Sequence, residues 1–541
     1  MKWKKSFAWL AAVSLLCASL AGCGGNSETS SQGKDAVLDV EKANPEQAQL
    51  PYANPPEKLI VASTISANVA GQTLALHEVE ALKELERRSG VQAEFQTTTT
   101  EKLNLLFASD SLPDLIFTDW QAIGGTYKYA ADQQIIPLDE YIGKYSPNFV
   151  EVLKKDSEIQ PMLADIDGKI YYYPFLRPTQ NLRVFEGYQI RRDWLEKLGL
   201  KMPETIEEYH TVLRAFKEKD PNGNGKQDEI PFISDKKTSG IERAVYWWGI
   251  DNFYQTDGTV RCGWLAPEFK EYIETMRQWY SEGLIDPEYL TTDTKQFNSK
   301  VVNELAGTFY GRAAGVLGNL QTLMAPINEK FELAGLPWLS KDGENGQALI
   351  SKYNEKVLGI GFAITADCKN PELAAKWADY AYGTDGHLLF NFGIENVSYT
   401  MENGIPTYTK EITANPNGLS KIEALASYAI PGNYAFEQSE YYFDQFMTGI
   451  QKNAIDIWKK GDSSRALPPL KYTNQEMTVA NNKMNEIKTY VSEMQNKFIT
   501  GKEPIENYAS FLEQVKKMGV DEVVQVMQTA YDRYLNSTTK K

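Results

Sequence analysis

Hydrophobic positions recur along this chain with two periods, and the switching between them predicts an α/β protein. Residues 58–66 (KLIVASTIS) form an apolar run of strand length. Within 78–89, Val79, Leu82 and Leu85 mark one helical face, and Gly90 stands where a left-handed cap would end the helix. Val91, Ala93 and Phe95 alternate with polar residues, a short helix is predicted over 102–109, and 114–118 (DLIFT) reads as a third strand. Strand–helix–strand–helix–strand predicts a parallel sheet with right-handed crossovers. Ligands of such sheets collect beyond the carboxyl ends of the strands, here Ser63-Thr64 and Asp119-Trp120.

A second α/β stretch opens near Gly187. A strand over 188–191 is followed by a helix over 192–198, stopped by Gly199. Thr205 and Glu208 have the spacing of a capping box, opening a helix with Ile206, Tyr209, Val212, Leu213 and Phe216 inward. Phe269, Tyr272, Ile273, Met276 and Trp279 form one stripe of a helix over 267–282, closed by Gly283. Residues 357–365 return to strand. Asn370-Pro371 then starts a helix with Leu373, Ala374, Trp377, Ala378 and Ala381 on one face, ending at Gly383. The stripe positions make Tyr272, Trp279 and Trp377 packing residues. From about 438 to 535 the pattern is nearly all helical, broken at Pro468-Pro469 and Gly501.

The amino terminus carries a different signal. Lys2, Lys4 and Lys5 precede an apolar run over 7–20, and Leu20-Ala21-Gly22-Cys23 follows. A basic start, a short apolar core and a small-residue exit describe a secretory signal peptide, too short for a stable membrane span. A cysteine at the cleavage point resembles bacterial lipoprotein signals, which implies cleavage after Gly22 and lipidation of Cys23. Residues 24–57 are rich in Gly, Ser, Asn, Gln and Glu, with Pro45, Pro51, Pro55 and Pro56 toward the far end. Such a segment is expected to be a mobile tether. No later segment is apolar for long enough to cross a bilayer. The protein is therefore expected outside the cell, on the extracellular face of the bacterial cytoplasmic membrane.

Net charge removes further classes. The formal charge of the 541 residues is −16, and loss of the three signal lysines lowers it further. That argues against nucleic acid and against peripheral binding to anionic lipid. Apart from Cys17 and Cys23 only Cys262 and Cys368 remain, read as lone thiols rather than a disulfide framework. The three histidines, His77, His210 and His387, are far apart in sequence, which disfavours zinc or histidine-based catalysis. Residues 223–226 (GNGK) lack both the Ser/Thr and the spacing of a phosphate loop. Aromatics reach 12%, with 30 Tyr and 11 Trp. Exported proteins of this kind often stack sugar faces on aromatic rings, although a large core explains the composition equally well.

The sharpest local motif is 220–229 (DPNGNGKQDE). Oxygen side chains of Asp220, Asn222, Asn224, Asp228 and Glu229 stand at relative positions 1, 3, 5, 9 and 10. Gly225 supplies the bend at 6, and Lys226 offers a backbone carbonyl at 7. The first half matches a helix–loop–helix calcium loop, whereas position 12 is Pro231 instead of a bidentate Glu. A structural Ca²⁺ is the expected occupant, with Asp228 or Glu229 supplying the last carboxylate.

Residues 187–232, containing GYQIRRDWLEKLGL, PETIEEY and DPNGNGKQDEIPF, closely resemble the extracellular solute-binding lipoproteins of carbohydrate ABC importers, in the larger subgroup with a calcium loop. Further segments resemble the same family in order: 113–120 (PDLIFTDW), 279–287 (WYSEGLIDP), 311–319 (GRAAGVLGN), 370–387, 392–399 (FGIENVSY) and 508–534. The resemblance implies a two-lobe periplasmic-binding-protein-like α/β fold with a helical C-terminal extension. It implies an N-lobe of 58–184 plus 357–430 and a C-lobe of 185–356 plus 431–541. It also implies a monomer that captures an oligosaccharide between the lobes without catalysis and docks on membrane permease subunits.

Ligand-binding candidates follow from position. Asp119 and Trp120 lie past a strand end, and Arg183 at the first crossover. Trp247 and Trp248 form an aromatic turn in which, if the chain is extended, only one can face the cleft. Tyr310, Arg312 and Asn319 flank a glycine-rich passage where backbone could approach a ligand, and Glu395 and Tyr399 match a family segment near the lobe interface. Two other functions compete: a surface polysaccharide hydrolase or lyase working through a carboxylate pair, and a peptide-binding or sensory lipoprotein.

Overall fold

The computed structural model describes residues 37–65, 75–109, 111–341, 354–430, 432 and 434–538. The signal segment 1–22, Cys23 and residues 24–36 lie outside the described residues. Val37–Lys541 forms one compact unit, and its frame is two sheets.

The first sheet runs Val91–Thr97, Glu57–Ser63, Leu115–Asp119, Val357–Ile364, Tyr173–Leu176. Glu57–Ser63 pairs in parallel with both neighbours, as a βαβαβ unit requires. Adjacent Val61 and Ala62, which face opposite sides of the sheet, are both buried, which explains why this strand reads as a continuous apolar run and not an alternation. The helix between the first two strands is Glu80–Ser89, and Gly90 caps it at φ 68°. A Cβ at Gly90 would meet the Ala53 carbonyl, so glycine is required there on two counts. Val357–Ile364 enters antiparallel, between Leu115–Asp119 and Tyr173–Leu176.

The second sheet runs Leu333–Gly335, Glu186–Arg191, Ala306–Arg312, Ile230–Phe232. The Thr205 capping box forms as its spacing predicts, with Thr205 Oγ1 accepting from the Glu208 amide at 3.1 Å. The helix Pro267–Ser281 buries all five residues of its predicted stripe. Each sheet has its own apolar core. One gathers Leu59, Leu115, Phe117, Phe362, Trp377 and Tyr434; the other gathers Tyr188, Trp194, Tyr209, Trp247, Trp279 and Phe511. The chain passes from one sheet to the other after Leu176 and back before Val357.

One expectation needs correction. Residues 37–57 are not free tether. Leu38, Val40 and Ala53 are buried, the Leu38 amide donates to Asp139 Oδ1 at 2.8 Å, and the Tyr52 amide donates to the Ser89 carbonyl at 2.7 Å. A few apolar side chains with satisfied backbone hold this segment despite its polar composition. The carboxyl-terminal region is mainly helical and broken at Pro468-Pro469 and Gly501 as expected, the first gap being the wider. Helices Glu440–Phe446 and Gly449–Trp458 are separated from Asn474–Ile499 by a non-helical stretch over 459–473. Beyond it, Tyr508–Lys517 and Val520–Thr538 pack with Asn474–Ile499, adding Ile487, Val491, Phe498, Phe511 and Val523 to the second core.

Candidate functional site

A cavity of about 460 Å³ opens at the carboxyl end of Leu115–Asp119. Trp120, Gln121, Thr126 and Tyr172 line it from the first sheet, and Lys471 and Tyr472 from the non-helical stretch before the last helices. Asp119 bends the chain out of the strand: its Oδ1 accepts the amides of Gln121 at 3.1 Å and Ala122 at 3.3 Å. That turn sets the rim where an open α/β sheet places its ligands.

Trp120 reaches this cavity as wall, not as an exposed stacking platform. It is 1% exposed, its indole N–H donates to the Gly361 carbonyl at 3.1 Å, and its ring packs near Phe107 and Tyr129. The sequence position is right for the rim; the burial is that of a core residue. Tyr172 is nearly buried, with its hydroxyl donating to the Leu358 carbonyl at 3.3 Å.

Sequence reasoning missed Lys471 and Tyr472. Lys471 Nζ donates to the carbonyls of Leu163 at 2.8 Å and Ala164, where the helix Ile159–Leu163 ends. A cation at a helix carboxyl end is favourable, and this one ties the carboxyl-terminal region to the first sheet's helices. Arg533 holds the strap from behind, donating to the Lys471 carbonyl at 2.7 Å and pairing with Glu476 at 2.6 Å. Burial pulls the Lys471 ammonium down to about 8, while burial and then Glu476 push the Tyr472 phenol up to about 12. The Pro468-Pro469 break is the one sequence signal that marks this strap.

The other sequence candidates do not join the cavity wall. Trp247 and Trp248 lie in a 3₁₀ turn, Ala244–Trp248, so the extended-chain alternation does not apply. Both are buried. Trp247 packs 4.6 Å from Tyr188 and 5.3 Å from Tyr209, and Trp248 packs edge-on to Tyr272. Tyr310 is buried between Tyr188 and the Arg243 guanidinium. The passage from Arg312 to Asn319 is not open backbone but a wide helical turn, Ala313–Gly318. Asn319 is exposed at the turn's end, its amide donating to the Gly315 carbonyl at 3.1 Å. Arg312 is exposed beside Glu186. Glu395 is exposed, whereas Tyr399 packs with Phe392 in a separate small cluster. Arg183 ends the helix Gln180–Arg183 on the first crossing segment. Its carbonyl accepts from the Asn354 amide at 2.9 Å, joining two crossing segments.

The loop over 220–229 is a tight turn held by its own side chains. Asp220 accepts the amides of Gly223 and Gly225 at 2.9 Å and of Asn224 at 3.0 Å. Asn222 and Asn224 side-chain oxygens accept the Asn224 and Lys226 amides in turn. Glu229 is fully buried, and its Oε2 has no hydrogen-bond partner among the described residues. Burial raises its carboxyl, with Asp220 and Asp228 adding repulsion. An orphaned buried oxygen beside two further carboxylates fits a hard cation. Among the described residues, no three His, Cys, Asp or Glu side chains form a metal cage by themselves, so Asn and backbone oxygens would have to complete the set. Cys262 and Cys368 are unpaired, and burial pushes each thiol up to about 12.

Residues 78–387 match the family described as bacterial extracellular solute-binding protein, and the chain belongs to that family. It is 27% identical to the fructooligosaccharide ABC transporter substrate-binding protein FusA of Streptococcus pneumoniae, over 84% of this chain and 86% of that one. It is 24% identical to the lipoprotein LipO of Bacillus subtilis, over 83% and 88%. Among solved structures, the alginate-binding protein AlgQ2, determined without calcium ion, superposes with a TM-score of 0.69 at 26% identity, covering 89% of this chain and 99% of that one. The fold is that of two-lobe solute-binding proteins.

The Lys471 strap yields a pH signature. With a folded value near 8 and an unfolded value near 10.5, the folded protein binds fewer protons in that window, so its stability rises with pH there. Lys471→Met should lack this rise. Melting temperatures of both proteins from pH 8 toward 10 test it; a constant difference between them would show that the ammonium is not held as described.

Proposed function

We propose that this protein is a lipid-anchored receptor that captures an oligosaccharide between its two sheet-based lobes and delivers it to the permease of an ABC importer, without altering it. The cavity at the end of Leu115–Asp119 carries this reading, because it lies where the carboxyl-terminal strap meets the first sheet. Family membership supports a solute receptor, and the likeness to FusA and AlgQ2 supports a glycan. A sugar needs apolar faces covered and hydroxyls satisfied, and the mixed tyrosine, amide and ammonium lining of the cavity offers both. A ligand closes such a protein only by binding the closed form better, so contacts from the strap matter as much as those from the sheet.

Small-angle scattering should show a smaller radius of gyration with the correct oligosaccharide, with a parallel change in tryptophan fluorescence. Tyr472→Ala should weaken binding by roughly one to two orders of magnitude, since losing an aromatic side chain removes about 1.5–3 kcal/mol of apolar burial. Recovery of a shortened or unsaturated glycan after incubation with pure protein would replace the receptor reading with an enzyme.

The loop over 220–229 is assigned a structural Ca²⁺ held by Asp220, Asn222, Asn224, Lys226 through its carbonyl, Asp228 and Glu229. An ion bound only by the folded state adds RT ln(1 + [Ca²⁺]/Kd), about 2.7 kcal/mol at a hundred times Kd. Chelation should therefore lower the melting temperature, and Asp220→Ala with Asp228→Ala should abolish that sensitivity. Identical melting with and without chelator, in protein confirmed to carry calcium, would refute the site.

The anchor rests on Leu20-Ala21-Gly22-Cys23 and on the likeness to a lipoprotein. It places the protein at the extracellular face of the cytoplasmic membrane. No helix among the described residues is long and apolar enough to cross one. Cys23→Ala should move the expressed protein out of the detergent phase; partitioning unchanged from the wild type would remove the anchor.

A further inference from the structure

Three arginines gather near the Glu186 carboxylate, where the chain passes between the two sheets. Arg177 follows the end of Tyr173–Leu176, and its amide donates to the Lys356 carbonyl at 2.8 Å, next to Val357 in the cavity wall. Its guanidinium lies 5.2 Å from the ring centroids of both Phe175 and Phe185. Arg312, at the end of Ala306–Arg312, lies over the same Phe185 ring at 5.7 Å. Phe185 therefore lies between Arg177, just past the first sheet, and Arg312, at the end of an inner strand of the second. Glu186, the next residue, is 3.8 Å from Arg312 Nε. Arg243 lies over the Tyr310 ring at 4.9 Å, on the strand that pairs with Glu186. Arg183 sits on the crossing segment itself.

Arg177 and Arg183 are under-compensated. Arg177 has one side-chain partner, Gln438, at 3.2 Å, and no carboxylate among the described residues. Arg243 is better matched: its Nε donates to the Thr238 carbonyl at 2.8 Å, and burial is outweighed by Tyr310 and Glu186, which raise its guanidinium. Arg183 Nε is buried without an acceptor. Burial, with the charge of Arg312 added, pulls Arg177 down to about 10, whereas a paired arginine would be held up. A buried guanidinium is costly unless its charge and its donors are matched, and aromatic faces match only part of that. Two other buried cations have acidic partners: Arg191 pairs with Asp193 and Glu304, and Lys356 with Asp156 and Glu158.

We propose that this arginine cluster is a subsite for the carboxylate of an acidic sugar, so that the ligand class is a uronate-containing oligosaccharide. The inference rests on the receptor reading above. The planar fork of a guanidinium matches a carboxylate in a bidentate fashion, and the Phe175 and Phe185 faces hold the Arg177 fork in orientation. Because the protein as a whole is acidic, affinity for an anionic glycan must come from this local pairing and not from long-range attraction.

The test is calorimetric titration of the full-length protein with uronate trimers of several backbones, each beside its methyl ester, with neutral trisaccharides and sulfated oligosaccharides alongside. The best free acid should bind about ten-fold or more tighter than its ester. Arg312→Gln, at an exposed position that leaves the fold intact, and Arg177→Gln should each shrink that preference to about two-fold, with Arg177→Lys in between. Equal binding of acid and ester, a preference for sulfate esters, or an undiminished preference in Arg312→Gln would overturn the subsite. Binding confined to neutral sugars would overturn it while leaving the receptor reading intact. Silence across the whole panel would overturn both.

Discussion

Insertion of one returning strand, Val357–Ile364, holds the molecule in its shape. It pairs with Leu115–Asp119 on one side and with Tyr173–Leu176 on the other, closing the first sheet after the chain has built the second. The fit is close. A Cβ at Gly359 would lie 2.5 Å from Asp119 Oδ1, and one at Gly361 would lie 2.2 Å from the Tyr173 carbonyl. The register shifts between Leu358 and Gly361, and in that irregular stretch the Gly359 and Gly361 carbonyls accept the Trp120 amide and indole N–H. The same contacts thus fix the sheet, bury Trp120 and shape the cavity rim.

The second half depends on a chain of polar contacts that begins at the 220–229 loop. Asn222 donates to the Glu304 carbonyl at 3.2 Å, and the Glu304 side chain pairs with Arg191 at 3.2 Å. Arg191 is itself held between Trp194 and Phe331, each 4.4 Å away. Glu304 lies just before Ala306–Arg312, whose far end carries Tyr310 and Arg312. An ion ordering the loop would steady the start of a strand whose end faces the crossing segments.

The strap over 459–473 couples the halves differently. It belongs to the region whose helices join the second core, yet Lys471 is spent on carbonyls beside the first core. Any movement of the lobes must break or preserve that contact, which makes the strap the natural place for ligand to influence closure.

Local order was legible in the sequence because its causes are local. The Thr205 capping box, the Gly90 cap, the stripe of Pro267–Ser281 and the 220–229 turn each depend on residues close to one another in the chain. The family resemblance supplied the two-lobe fold, which periodicity alone did not reach. What the sequence left open was exposure. Trp120 stands at the predicted rim but is sealed by Gly361, a residue 241 positions away. Trp247 and Trp248 sit in a turn whose neighbours Tyr188, Tyr209 and Tyr272 come from three separate elements. Lys471 came to line the cavity by meeting a carbonyl 308 positions earlier in the chain. Backbone periodicity determines which face of an element is apolar, but whether a side chain ends as wall, platform or latch depends on what long-range packing lays over it, and that was decided only in the tertiary structure.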